Sequence, residues 1–530
     1  MRIGIDVGGT HTDAVILDSN NRIVEADKID TTQDVSSGIL AALDSVLRQS
    51  SLDGSEISAI MFGTTHCTNA IVERKNLSHV GILRLGKPAT LAIPPLFSLP
   101  DALKRAIGDT WEIVPGGHEF DGREICAFDE DGTRIAAKDF KSKGVEAVAI
   151  SAVFSPVNSE HEKRAAKIFS QVMGPNVPIT ISSEVGSIGL LERENAAVLN
   201  AALSKVAETA INGLVSSVRD RGLHSANIYL TQNDGTLMNV NYAKKHPVKT
   251  IASGPTNSIR GAAYLTSLGD AVVVDIGGTT TLVGAIAHGF PRESNIAVEI
   301  GQTRTNFRMP DLVAVSCGGG TIVTFESSGS VIVGPQSVGY MISKHSIAWG
   351  GNKLTTTDVA LGLGHASALD NACHPERVSA TIGREKLVRA QEKIMEIVEE
   401  AIDKIKVSSQ PVKVVLVGGG GIIIPESMYD KIAGVSEIIR PAHFQFANAI
   451  GAAIAQISGQ SDRIYDLDKK SREQALEEAK RFAIEDALSA GADPVSVEVV
   501  ESEELPLSYL PGIAVRIKMK VVGRLTPDKQ

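Results

Sequence analysis

Residues 2–13 read RIGIDVGGTHTD, and residues 272–282 read VVVDIGGTTTL. Each string is an apolar run ending in Asp-x-Gly-Gly-Thr-x-Thr, and each is followed by a second apolar run, AVILD in one case and LVGAIA in the other. A strand, a tight glycine turn and a return strand make a β-hairpin. The two aspartates, Asp6 and Asp275, stand about half of the 530-residue chain apart. Self-similarity at that spacing points to a duplicated architecture rather than to two unrelated turns.

Outward from these strings, ISAIMFGTT (57–65), HVGILRL (79–85), VEAVAISAVF (145–154) and VKVVLVGGGG (412–421) read as buried strands. Helical periodicity falls on 35–48, 161–173, 187–219 and 384–406, and ANAIGAAIAQ (447–456) reads as a small-residue helix. Strands alternating with helices predict an α/β fold. Residues 88–139, with successive prolines and Gly and Asp turns, are expected to form an insertion with short strands. The expected organisation is 1–180, an N-terminal half carrying that insertion; 181–460, a second half with a long connecting helix; and 461–530, a separate small α+β module.

Composition narrows the function. Apolar residues are 43% and charged residues 22% of the chain, which excludes a largely disordered or collagen-like protein. The net charge is −10 and no basic run occurs, so nucleic acid is not an expected partner. The four cysteines are scattered without a CxxC pair, which signals neither a disulfide framework nor a thiolate zinc site. Asp6 interrupts the only place for a signal peptide, and no apolar run is long enough to cross a membrane. A cytoplasmic protein is expected.

Two facing glycine turns offer a nucleotide what it needs from two sides. Backbone N–H groups of Gly8, Gly9, Gly277 and Gly278 can ring phosphate oxygens, Thr10, Thr12, Thr279 and Thr280 add hydroxyls, and Asp6 and Asp275 can hold Mg²⁺ through water. The glycines Gly418, Gly419 and Gly420 offer a flat surface for adenine and ribose, although such a turn also serves simply to pack a helix on a strand. In FGTTHCTNA (62–70), Thr64, Thr65 and Asn69 stand where a helix begins after a strand, a place suited to an anion; helix capping by Thr65 is the alternative. Asn233 and Asp234 follow an apolar strand and either face a cleft or make a turn. Cys67 and His11 form no triad by spacing and are expected to be packed rather than catalytic.

The order of phosphate turn, connecting helix, second phosphate turn, adenosine strand and hinge helix resembles the actin-like ATPase superfamily over residues 1–456. The resemblance implies duplicated actin-like (ribonuclease H-like) domains closing over a nucleotide cleft. A narrower resemblance rests on IDVGGTHTD, FGTTHCTNAIVER, SSEVGSIGLLERENAAVLNAAL, TQNDG, SGPTNSIRGA, DIGGTTT, CGGGT and TTDVALGLG, which together are similar to the A subunit of the hydantoinase/oxoprolinase family. That family implies ATP- and Mg²⁺-dependent opening of a cyclic amide (a hydantoin, 5-oxoproline or a related lactam) by phosphorylation of its carbonyl oxygen. It also implies a B-type partner subunit, and a homo-oligomer is expected. The resemblance gives Asp6, Asp13 and Asp275 catalytic or metal-holding roles, with Asp13 orienting the acceptor or a water. It brings Glu184 and Arg193 to the cleft as substrate contacts beside Thr64, Thr65, Asn69 and Asn233. One departure stands out: Leu282 occupies the position where the family's second turn carries Asp, and the chain's own first turn has Asp13. Alternatives of the same fold are a small-molecule kinase, a nucleotide-driven activator or switch, and a ketone carboxylase subunit.

Overall fold

The computed structural model describes residues 1–8, 10–31, 35–294, 298–508, 510 and 512–526. Its spine is a nine-stranded sheet in the order Glu498–Pro506, Ala514–Gly523, Ile457–Asp466, Leu237–Asn239, Asn227–Thr231, Ala59–Gly63, Arg2–Val7, His11–Leu17, Ile23–Asp30. A second sheet carries Phe290–Pro291, Thr281–Ala287, Ala271–Ile276, Val412–Val417 and Val435–Ile439, with Leu312–Val315 also paired to Thr281–Ala287. Both DxGGTxT strings are antiparallel hairpins, Arg2–Val7 with His11–Leu17 and Ala271–Ile276 with Thr281–Ala287. Each hairpin's first strand pairs in parallel with a later strand, Ala59–Gly63 or Val412–Val417. The duplication seen in the strings is therefore a duplication of sheet topology.

Residues 88–139 are more regular than their punctuation suggests. They contain helix Asp101–Ile107, strand Thr110–Pro115 and the first part of helix Glu130–Ser142, and that strand joins Val80–Lys87, Ala147–Ala152 and Ile179–Ile181 in a four-stranded parallel sheet. Parallel pairing needs long crossovers, and the Pro- and Gly-rich stretch supplies one of them and most of a second, on either side of Thr110–Pro115. The tail is the expected α+β unit, helix Arg472–Ala490 with two strands, but it is not separate. Both strands continue the first sheet, because Ala514–Gly523 pairs with Ile457–Asp466 along its whole length. Nor do 180/181 and 460/461 divide the sheets, since Asn227–Thr231 pairs in parallel with Ala59–Gly63.

Small residues set the spacing between layers. Ala475, Ala479, Ala483 and Ala487, one helical turn apart, are fully buried on strand Ile457–Asp466, where a Cβ on Gly459 would lie 2.1 Å from Ala483 O. Helix Ala447–Ile454 crosses helix Ser253–Thr266 as closely: a Cβ on Gly451 would lie 1.9 Å from Asn257 O, and one on Gly261 1.9 Å from Ala447 O. Helix Leu190–Asp220 is buried on every side from Arg193 to Ser204, where it runs between the first sheet and the four-stranded sheet.

Candidate functional site

The two glycine turns meet. Gly278 is packed so closely on the first turn that a Cβ there would lie 2.1 Å from Thr10 Cγ2. Each turn is closed by one hydrogen bond of 2.9 Å, Gly8 N–H to His11 O and Gly277 N–H to Thr280 O. The turn at Gly418–Gly420 lies against the second: a Cβ on Gly418 (φ +85°) would sit 2.2 Å from Asp275 Oδ1, and one on Gly420 2.5 Å from Gly277 O. Only glycine permits that approach. Gly319 N–H and Gly320 N–H of the CGGGT turn bond to Gly277 O (3.0 Å) and Gly278 O (2.6 Å), bracing the second turn from behind. Gly9 lies outside the described residues.

Asp6, Asp13 and Asp275 are all buried here. Asn257 Nδ2 donates to Asp6 Oδ1 at 2.8 Å, and Asn448 Nδ2 donates to Asp6 Oδ2 at 3.3 Å. Ser258 Oγ meets both Asp275 Oδ2 and Asn448 Oδ1, so the two crossing helices tie the aspartates of the two halves together. Lys28 stands directly opposite Asp13 across the sheet and its ammonium contacts Asp13 Oδ1. Burial pushes the Asp6 carboxyl up to about 6; the Asn257 hydrogen bond opposes this, and the charges of Asp13 and Asp275 add to it. Burial also raises Asp13 against the pull of Lys28, and raises Asp275 against the hydrogen bond from Ser258. Three buried carboxylates facing one ammonium leave uncompensated negative charge, which fits a divalent cation at Asp6 and Asp275.

The remaining expected residues separate into groups. Thr10, Thr279 and Thr280 lie on the turns. Thr12 is fully buried behind its turn, near Thr31 Oγ1 at 3.3 Å, and Thr31 donates to Gly8 O. Thr64 and Thr65 follow Gly63, where a Cβ would lie 2.0 Å from Asp6 Oδ1. Thr65 holds the N-cap position of helix His66–Glu73 without a side-chain capping bond, and Asn69 is exposed on that helix. Glu184 and Asn233 line a different space, a cleft of about 540 Å³ bounded also by Asp234, Lys249 and Arg463. Glu184 pairs with Lys245 (2.7 Å), and Asn233 Nδ2 donates to Arg308 O (2.8 Å). Arg193 is buried with its guanidinium spent on Ser182 Oγ, Ser187 O and Ala152 O. The two spaces are two residues apart along the chain: Asn257, which bonds Asp6, also donates to Thr231 Oγ1 (3.3 Å), and Gln232 and Asn233 follow. Cys67 is buried with its thiol pushed up to about 11 by burial, so it is packed rather than nucleophilic.

Four contributors carry no role in the sequence reading: Lys28, Asn257, Ser258 and Asn448. Asn257 and Ser258 lie in SGPTNSIRGA, one of the strings that carry the family resemblance, and Asn448 in ANAIGAA, marked by its small residues, whereas Lys28 has no local signal.

A family model described as the hydantoinase/oxoprolinase N-terminal region matches residues 2–173, and one described as hydantoinase/oxoprolinase matches residues 193–461. The chain belongs to the hydantoinase/oxoprolinase family. It is 28% identical to the caprolactamase subunit alpha of Pseudomonas jessenii, over 69% of this chain and 54% of that one. It is also 28% identical to the acetophenone carboxylase gamma subunit of Aromatoleum aromaticum, over 68% of this chain and 53% of that one. The chain spans about half the length of the curated relatives it matches. The crystal structure of the ATP-dependent caprolactamase from Pseudomonas jessenii superposes with a TM-score of 0.79 at 20% identity, covering all of this chain and 88% of that one. The expected α/β fold with a duplicated half is borne out by this superposition and by the repeated hairpin-and-parallel-strand topology. Among the described residues no helix is long and apolar enough to cross a membrane.

Proposed function

We propose that the chain is the nucleotide-using subunit of an ATP-dependent enzyme that phosphorylates a carbonyl oxygen, its substrate a cyclic amide such as a hydantoin, 5-oxoproline or a related lactam. The observation that carries this reading is the contact of the two glycine turns, Gly278 on Thr10, with Asp6, Asp13 and Asp275 gathered around it. Mg²⁺ held by Asp6 and Asp275 would neutralise charge developing on the transferred phosphoryl group. Gly8 N–H and Gly277 N–H, expected to ring phosphate oxygens, instead close their own turns, so the remaining backbone N–H groups and the Thr hydroxyls of the turns orient the phosphates. Asp13, with its carboxyl raised and tethered by Lys28, orients the acceptor or a water.

In the reaction, the amide oxygen takes the γ-phosphoryl group and ADP leaves. Water then adds to the activated carbon, phosphate departs, and the ring C–N bond breaks to give amine and carboxylate. Relatives named as subunits support a B-type partner for the second half. The acetophenone carboxylase gamma subunit, matched at the same identity, supports a second reading in which a ketone oxygen is the acceptor.

Phosphate release from Mg-ATP is the test, with hydantoins, 5-oxoproline, larger lactams and aryl ketones as separate arms, and Asp6→Ala as control. Stimulation by a lactam that vanishes in the control is expected. Stimulation by a ketone with bicarbonate selects the second reading. A phosphorylated product that persists means a kinase, and turnover indifferent to every small acceptor overturns both.

A further inference from the structure

The four-stranded sheet is parallel throughout, in the spatial order Thr110–Pro115, Val80–Lys87, Ala147–Ala152, Ile179–Ile181. The chain leaves Val80–Lys87 for one neighbour and then crosses back to the other. Connections therefore diverge at the carboxyl ends of Val80–Lys87 and Ala147–Ala152, where open α/β sheets take their ligands. Gly116 and Gly117 carry the chain off Thr110–Pro115 and over this point: His118 N–H donates to Val153 O at 3.1 Å, and a Cβ on Gly117 would lie 3.0 Å from Leu85 O. His161 arrives from the first turn of helix Glu160–Met173.

Three side chains converge there. One ligand atom each from His118, Glu124 and His161 lies within 4.8 Å of the others. The two imidazoles are buried side by side with ring centres 4.3 Å apart. His118 Nδ1 is buried without a hydrogen-bond partner, a cost that a ligand would remove. Glu124 is bridged to His118 through the backbone, reaches His161 Nε2 at 3.0 Å, and keeps its side chain half exposed.

We propose that His118, Glu124 and His161 bind a divalent transition-metal ion of the zinc class, at a site distinct from the carboxylate-lined turns. Two imidazoles and a carboxylate are donors suited to such an ion rather than to Mg²⁺. Three protein ligands with an open side toward solvent make a site that keeps one position for water or a ligand. Binding sets the ligand atoms, now all within 4.8 Å of one another, at about 3.3 Å apart, the edge of a tetrahedron with metal–nitrogen distances near 2 Å. It also needs one backbone change. Gly117 N–H donates to His161 Nδ1 at 3.0 Å, which puts the ring proton on Nε2, facing Glu124. With the ion on Nε2 that proton moves to Nδ1, and a flip of the Gly116–Gly117 peptide replaces the N–H there with Gly116 C=O as its acceptor. Both flanking residues are glycines at positive φ, +145° and +94°, so the flip meets no side chain of their own.

The proposal is independent of the ATP reading and is tested without activity. The full chain, stripped with a chelator, is dialysed against Co²⁺ in excess Mg²⁺. One Co²⁺ per chain with visible ligand-field absorption, displaced by Zn²⁺ and not by Mg²⁺, is expected. His118→Asn and Glu124→Gln should each weaken binding by about 100-fold or more. Far-UV circular dichroism checks the fold; if His118→Asn does not fold, Glu124→Gln, altered at a half-exposed side chain, decides. Absence of stoichiometric Co²⁺, displacement by Mg²⁺, or unchanged affinity in the folded variants overturns the site.

Discussion

Across the first hairpin Asp6 faces Asp13; across the second, Asp275 faces Leu282. The registers are equivalent, both turns close with the same 2.9 Å hydrogen bond, and both first strands pair in parallel with a later strand. What differs is the return strand. In the first hairpin it presents a carboxylate to Lys28, which comes from the next strand over, Ile23–Asp30. In the second, the neighbour is Leu312–Val315, and Ala314 lies opposite Leu282. Duplication has thus kept the backbone cradle twice and the acid–lysine pair once. A cradle made of N–H groups needs only glycines and a register, whereas a buried carboxylate needs a partner for its charge. On the proposed reading both turns hold phosphate, and only the first, through Asp13, also handles the acceptor.

The largest expected effect separates the two return strands. Asp13→Asn should lower phosphate release from Mg-ATP by about 1,000-fold, and Leu282→Asn by less than about tenfold. Equal losses in a steady-state assay would erase the functional asymmetry of the turns.

The next effect concerns the first strand's aspartate. The Asp6 carboxyl sits at about 6 in the folded chain, above its ordinary 3.8, so the folded state holds this proton longer than the unfolded state. The associated stabilisation is complete below about pH 4 and is lost as pH rises through about 6. Relative to Asp6→Asn, the parent chain should therefore lose up to about 3 kcal/mol between pH 4 and pH 7.5. The difference in urea unfolding of the first transition measures it; a difference that grows in favour of the parent with rising pH would mean Asp6 is charge-compensated.

The smallest effect compares the cradles themselves. A Cβ on Gly8 would meet His11 O at 2.8 Å, while one on Gly277 would meet Thr280 O at 3.3 Å. Gly8→Ala should cost about 2 kcal/mol and Gly277→Ala less than about 1 kcal/mol in thermal or urea unfolding. The reverse order would show that the first turn relaxes more easily than its neighbours suggest.

Much of this arrangement is readable along the chain. The hairpins follow from apolar runs broken by Asp-x-Gly-Gly-Thr, and the close crossing of Ala447–Ile454 follows from its run of small residues, now seen against Gly261 and Asn257. Residues 88–139 misled because Pro and Gly mark turns equally well in an irregular insertion and in the crossovers of a parallel sheet. Thr12 follows the same logic: its place in the motif suggested a phosphate contact, but alternation along His11–Leu17 turns it inward to Thr31.

The sequence by itself determined the local geometry: two hairpins with glycine turns, the helices around them, and the positions of Asp6, Asp13 and Asp275 at the turns. Those features depend on residue spacing within a dozen positions, which backbone sterics and hydrophobic periodicity translate directly. Only the tertiary structure decided which groups share a space. Lys28 reaches Asp13 through sheet register, Asn448 reaches Asp6 across most of the chain, the C-terminal strands complete the first sheet, and His118, Glu124 and His161 converge at a strand-order switch. Such meetings are set by strand pairing and close packing between distant segments, and no local pattern in the chain encodes them.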